Sequence, residues 1–193
     1  MRQYLAISLA FTLAGGVAAH AELQVVVDGK PQVAVVTAEQ PTAVAAYAAQ
    51  ELVYHFERAT GVKLATVTDS AIPEQPAGRI YLGDCEAARA AGILVAELPG
   101  EGCALKTVGN ALFIVGEDGG DDPLSMQTHA GTLWGVYELL ERVLRVRWLW
   151  PGELGVHVPK TDTVAVGDLD EIIEPRLLQR NLRSGLGLRG ANG

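Results

Sequence analysis

Two cysteines, two methionines and 6% aromatic residues in 193 positions leave few of the residues on which metal or thiol chemistry is built. No CxxC or HExxH spacing occurs, and His55, His129 and His157 stand singly, so no metal site is expected. There is no Gly-x-Ser-x-Gly turn for a nucleophilic serine. The glycine-rich GEDGGDD lacks a lysine, and its carboxylates repel phosphate, so no nucleotide cofactor is expected, nor any other cofactor. Fifteen Lys and Arg against 23 Asp and Glu give a net charge of -8, which disfavours nucleic acid as a partner. A 193-residue chain also lacks the roughly 250 residues of an eight-stranded α/β barrel. Beyond the N-terminus no apolar run is long enough to span a bilayer, so no membrane span is expected in the mature chain.

The N-terminus does carry a signal. Met1, Arg2 and Gln3 form a positive leader, Leu5 to Val17 an apolar run, and Ala19, His20 and Ala21 a small-x-small cleavage site. Residues 1–21 therefore read as a signal peptide, and the mature protein as secreted or periplasmic. In an oxidising compartment Cys85 and Cys103 are a candidate disulfide. The alternative is two small buried hydrophobes, and spacing alone does not decide between them.

Along the mature chain, two strand-like runs, 23–27 and 32–36, flank Asp28-Gly29, which predicts an antiparallel hairpin with a turn of about four residues. Pro41 fits the first turn of a helix whose apolar stripe runs through Ala45, Ala48, Ala49, Leu52, Phe56 and Ala59 to a stop at Thr60-Gly61. A strand is expected at 62–67, another at 79–83, and a short helix at 85–91 with Asp84 as its cap. Strands at 103–108 and 111–115 surround Gly109-Asn110, a second hairpin signal. Residues 117–129 read as a solvated loop, 163–166 as a short strand, and 167–175 as an acidic connector. Beyond Arg176 the periodicity fades into a glycine-rich end.

The densest information lies between Gly131 and Gly155. Leu133, Val136, Tyr137, Leu140 and Leu144 share one face of a helix, with Glu138, Glu141 and Arg142 turned away. Val146 to Trp150 reads as a buried strand that stops at Pro151-Gly152. The fold expected is α+β: a mixed, largely antiparallel sheet of about five or more strands, with helices at 42–60 and 131–144 packed on one face. The opposite face is left for another domain.

The wording GTLWGVYELLE, then VRWLWPGELG, then VPK resembles the end of the small N-terminal domain of secreted alpha-glucuronidase-like glycoside hydrolases. A related domain precedes the catalytic barrel in beta-N-acetylhexosaminidases. The resemblance covers about residues 23 to 183. It departs from the family at Ala130, where arginine is usual, and at Arg145, where glycine is usual. Arginine at such a helix end pays for a left-handed backbone that glycine adopts cheaply.

The resemblance implies a domain at 22–167, followed at 168–193 by a connector and the start of a barrel, which would be its partner. It implies a non-catalytic accessory domain of a hydrolase acting on plant-type polysaccharides. The family's catalytic carboxylates lie in the barrel, so none is assigned here. Arg180, in Pro175-Arg176-Leu177-Leu178-Gln179-Arg180-Asn181, corresponds to an arginine that contacts the terminal sugar in the hexosaminidase-like enzymes. Leucine replaces the aromatic of that pattern and Asn181 its glycine.

Trp148 and Trp150 are carbohydrate-binding candidates, because flat apolar rings stack on sugars. Strand alternation sends both to one face, where packing against a helix competes for them, and the usual burial of tryptophan favours the core or an interdomain seam. If they are exposed, the alternative function gains: a stand-alone exported carbohydrate-binding or interaction module.

Overall fold

The structure is a computed structural model describing residues 22–175. The expected signal peptide and Arg180 lie outside the described residues.

Strand β1 (Leu23–Val27) turns at once into β2 (Lys30–Pro31). Asp28 and Gly29 take φ values of 48° and 69°, the pair of positive angles that a two-residue hairpin demands. The turn is thus tighter than expected, and the second arm is shorter. Pro31 ends that arm because it has no N–H to extend the ladder. Gln32 makes one further bond to the Val25 carbonyl (2.9 Å), and the chain then enters another sheet as β3 (Val33–Thr37). The reason lies in composition: Val33, Ala34, Val35 and Val36 are fully buried, which suits a central strand covered on both faces.

Helix α1 (Ala43–Thr60) follows. Thr42 accepts the Ala45 N–H at 3.0 Å as its cap, and Pro41 stands just before it rather than within the first turn. Gly61, at φ 75°, closes the helix by returning its N–H to the Glu57 carbonyl. The predicted stripe is buried in full, from Ala45 to Ala59. The strand expected at 62–67 shrinks to β4 (Thr66–Thr68), parallel to β3, because Leu64 is consumed by the core in irregular backbone.

On the other side of β3 lies β5 (Gly78–Leu82), also parallel. The short helix α2 (Glu86–Ala90) starts from Cys85; Asp84 is not its cap but binds Arg89 Nε at 2.9 Å. The second hairpin forms as predicted, β6 (Cys103–Val108) against β7 (Ala111–Gly116) around Gly109-Asn110. After the loop comes α3 (Gly131–Val143). Then follow β8 (Arg147–Trp148), paired with β9 (Val156–His157), and β10 (Val164–Val166), paired with β1. Part of the segment read as a connector forms β11 (Asp170–Ile173), an edge strand antiparallel to β6.

The main sheet has the order β11-β6-β7-β5-β3-β4. Over all three sheets of the described residues five of eight ladders are antiparallel, and the parallel ones are β4 with β3, β3 with β5, and β5 with β7. The α+β architecture is therefore the one expected. Alternation divides the sheet faces: Leu105, Leu112 and Ile114 meet α1 and α3, whereas Ala104, Phe113 and Val115 meet α2 and Ile93. The second face is thus already partly covered.

That division also decides the cysteines. Both are free, buried thiols. Cys85 packs with Ala88 and Phe113 on the α2 side, while Cys103 alternates with Ala104 to the other face, where its Sγ lies beside Gly135 of α3. A layer of sheet separates them, so the candidate disulfide is not formed.

Candidate functional site

Helix α3 carries two stripes rather than one. Leu133, Val136 and Leu140, joined by Leu139, are buried against the sheet and α1. A second set at i, i+3, i+4 and i+7, namely Trp134, Tyr137, Glu138 and Glu141, lines a surface groove of about 490 Å³. Gly135 lets the helix press this close. A Cβ there would stand 2.6 Å from Ile114 Cγ2 and 3.1 Å from Cys103 Sγ.

The groove's other wall comes from the segment after α3. Arg145 takes a φ of 59°, the left-handed turn foreseen where glycine would be cheap, and swings the chain back across the helix end. Val146 plugs into the core and returns its N–H to the Leu140 carbonyl. From there the expectation of a buried strand fails. Strand β8 is two residues long and exposed, because it pairs only with the short β9 at the margin of the fold. Trp148 is 37% exposed and Trp150 56% exposed. The two candidates are therefore not core residues, and they do not act alike. Trp148 lines the groove, while Trp150 lies outside its lining.

An edge-to-face chain of rings runs through the site. Trp134 meets Tyr137 at 6.1 Å between centroids, Tyr137 meets Trp148 at 5.1 Å, and Trp148 meets His55 of α1 at 5.4 Å. Tyr137 is tied to α1 by donating its hydroxyl to Glu51 Oε2 at 3.2 Å. Burial, followed by the Glu51 carboxylate, pushes the Tyr137 phenol well above its usual range, so it acts as a donor and not as an acid. Beneath Trp148, His55 is 2% exposed and bonds the Glu51 carbonyl through Nδ1 at 2.9 Å. Its Nε2 is buried without a hydrogen-bond partner.

Among the described residues Glu101, Glu138, Glu141, Glu174, Ile173 and Pro175 also line the groove. Arg142 binds Glu138 at 2.7 Å and also reaches Glu171; Arg147 lies 3.9 Å from Glu141. Glu138 and Glu141 project from the same helix edge, so they do not face one another across a sugar as a glycosidase pair must. Glu153 binds Arg58 at 3.2 Å on the surface. Cys103 touches the groove floor, and burial pushes its thiol up to about 11, an unreactive state near neutral pH.

A second hollow lies at the carboxyl ends of β3, β5 and β7, where the N-termini of α1 and α3 converge. In many α/β folds such a place holds phosphate. Here Asp118 fills that role from within the chain: one carboxylate oxygen accepts the Thr132 N–H at 2.9 Å and the other accepts the Thr42 hydroxyl at 3.3 Å. Burial raises its pKa, and those hydrogen bonds oppose the shift. With a carboxylate already in place, the hollow repels an anion. Composition alone could not assign this role to one of four acids in the 117–129 loop.

Among the described residues no group of three or more His, Cys, Asp or Glu side chains could hold a metal ion. His129 is instead paired with Glu117 at 3.1 Å. No helix among them is long and apolar enough to cross a membrane.

No protein-family model matches the chain, and no curated protein matches it. Solved structures do. A family GH115 4-O-methyl-alpha-glucuronidase with specificity for decorated arabinogalactans is 19% identical over 74% of this chain, with a TM-score of 0.50. A GH20 beta-N-acetylhexosaminidase from Streptomyces coelicolor A3(2) is 18% identical over 78%, at 0.44, and a GH138 enzyme targeting pectin rhamnogalacturonan II is 18% identical over 57%, at 0.36. The chain spans 18%, 23% and 10% of those three chains respectively. These neighbours are glycoside hydrolases, and at such identity the likeness is one of fold.

Proposed function

We propose that this chain is a non-catalytic accessory domain of an exported glycoside hydrolase of alpha-glucuronidase type, acting on plant-type polysaccharides. The observation that carries the proposal is the fold shared with the alpha-glucuronidase, of which this chain spans 18%. A domain of this size supports or positions a much larger catalytic body. The catalytic barrel would follow Pro175, and Arg180 would then stand near its first strand. Export through the 1–21 leader would bring the protein to the periplasm or beyond.

Two measurements test this reading. Purified chain should show no turnover of aryl glucuronides or arabinogalactan, and an antibody against it should detect a native polypeptide tens of kilodaltons above 20.4 kDa. Robust turnover by the chain itself would refute it.

A second reading, a stand-alone carbohydrate-binding module, is favoured by one observation: Trp148 and Trp150 are exposed. Affinity electrophoresis in neutral polysaccharide gels would then show retardation that Trp150→Ala reduces. A native band near 20 kDa would accompany it.

A further inference from the structure

The groove on α3 presents ring faces and hydrogen-bond acceptors. Trp148, partly exposed in its wall, is held edge-to-face against Tyr137 at 5.1 Å and against His55 at 5.4 Å. A ring fixed in this way loses little further freedom when a ligand covers it, which makes it a preorganised platform. The volume of about 490 Å³ is that of a small-ligand cleft. Glu138, Glu141 and Glu174 supply carboxylates to the lining, and among the described residues no lysine or arginine does so.

An ionised carboxylate accepts hydrogen bonds and donates none. A ligand for this groove therefore combines donors with an apolar face. A sugar ring has that make-up, with C–H bonds on its faces and hydroxyls around its edge.

Charge then selects among glycans. Arg142 is shared by Glu138 and Glu171, and Arg147 stands 3.9 Å from Glu141. With Glu174, four carboxylates stand against these two guanidiniums, so the groove keeps an excess of negative charge. Two uncompensated charges at ~8 Å in the dielectric of water disfavour a uronate by about fivefold.

We propose that the α3 groove is a subsite for an uncharged stretch of glycan, stacked on Trp148 with its hydroxyls donating to Glu138 and Glu141, from which uronate-bearing stretches are turned away. In a hydrolase of the kind proposed above, the domain then holds the neutral backbone of a polysaccharide and leaves the uronate to the catalytic body. The inference rests on the carbohydrate reading and deepens it, assigning the contact to Trp148 inside the groove and not to Trp150 outside its lining.

Titration calorimetry of the full chain tests it, with a neutral galactotetraose and the same oligosaccharide carrying one glucuronate branch as probes. The neutral probe should bind about fivefold tighter in ~0.01 M salt, and the gap should close to within about twofold in ~1 M sodium chloride, where charges are screened beyond ~3 Å. Glu141→Gln with Glu174→Gln should shrink the low-salt preference to about twofold or less. Trp148→Leu removes the platform but keeps an apolar side chain beside His55, and it should weaken the neutral probe about fivefold, the scale of one aromatic contact. Circular dichroism checks the fold of that variant. The salt and glutamine arms leave the packing of Trp148 alone, so they decide the matter even if Trp148→Leu unfolds.

Equal or tighter binding of the glucuronate-bearing probe at low salt would overturn the proposal. So would neutral binding that survives Trp148→Leu but is lost with Trp150→Ala, which moves the site out of the groove and leaves the module reading standing. Absence of binding by either probe at millimolar concentration would overturn it as well, and a native polypeptide tens of kilodaltons larger than this chain would still uphold the hydrolase reading.

Discussion

Replacing Arg145 by glycine should stabilise the protein, although it deletes a long side chain next to the candidate site. Arg145 is exposed, and its φ of 59° is left-handed. For a residue with a Cβ that conformation costs roughly 1–2 kcal/mol. Glycine removes the clash but gains freedom in the unfolded chain, which returns roughly 0.5–1 kcal/mol. The net gain is about 0.5–1 kcal/mol, or about 2–3 °C in Tm for a domain of this size. Scanning calorimetry of Arg145→Gly against Arg145→Ala separates the causes. Alanine keeps the Cβ and should leave Tm near that of the parent, whereas glycine should raise it. A Tm lowered by glycine, or raised equally by both, would refute the strain argument and mean that the guanidinium sets the cost. The turn matters to the site because it is what carries Trp148, three residues on, back over α3.

Three further outcomes follow from the same geometry. Gly116→Ala should lose at least ~2 kcal/mol in urea titration, because its Cβ would lie 2.5 Å from Gly131 Cα and 2.6 Å from Thr132 N, where backbone cannot yield. Asp118→Ala should cost about 1 kcal/mol by freeing the Thr132 N–H at the start of α3, and Asp118→Asn should recover part of it. Alkali should destabilise the fold in a defined window. The Cys103 thiol moves from 9.0 to about 11 on folding, so the unfolded chain releases its proton first. Stability then falls as pH rises above about 9 and this contribution is spent by about 11, a loss of roughly 2–3 kcal/mol. Tyr137, raised from 10.0, adds a loss in the same direction at higher pH. Denaturation midpoints between pH 8 and 11 check the slope, which Cys103→Ala should flatten at its lower end.

Where the sequence was legible, short-range physics decided the structure. The alanine-rich stripe of α1 needs only a 3.6-residue period and the Thr42 and Gly61 ends to be read. The β6–β7 hairpin needs only Gly109-Asn110 between two apolar runs. Errors arose where a distant partner outbid a local signal. Asp28-Gly29 did make a tight hairpin, but β3 was claimed by parallel neighbours 31 and 45 positions on, to whose pairing a local pattern is blind. Asp84 had the chemistry of a cap, yet Arg89 took its carboxylate. Strand β11 leaves little trace in the sequence because an acidic edge strand alternates only weakly, Asp170 and Glu171 making up half of its four residues.

The groove shows the same limit from the functional side. Its α3 wall is written in the sequence as a second stripe, Trp134, Tyr137, Glu138 and Glu141, beside the apolar one. Tyr137 belongs to both stripes by spacing, and it is half-buried and tied to Glu51. The opposite wall was not readable, because Val146 to Trp150 has the composition of a buried strand and lacks only a partner long enough to bury it. Strand β9 offers two residues, so Trp148 and Trp150 stay in solvent. An apolar run is buried by its neighbours and not by its own composition.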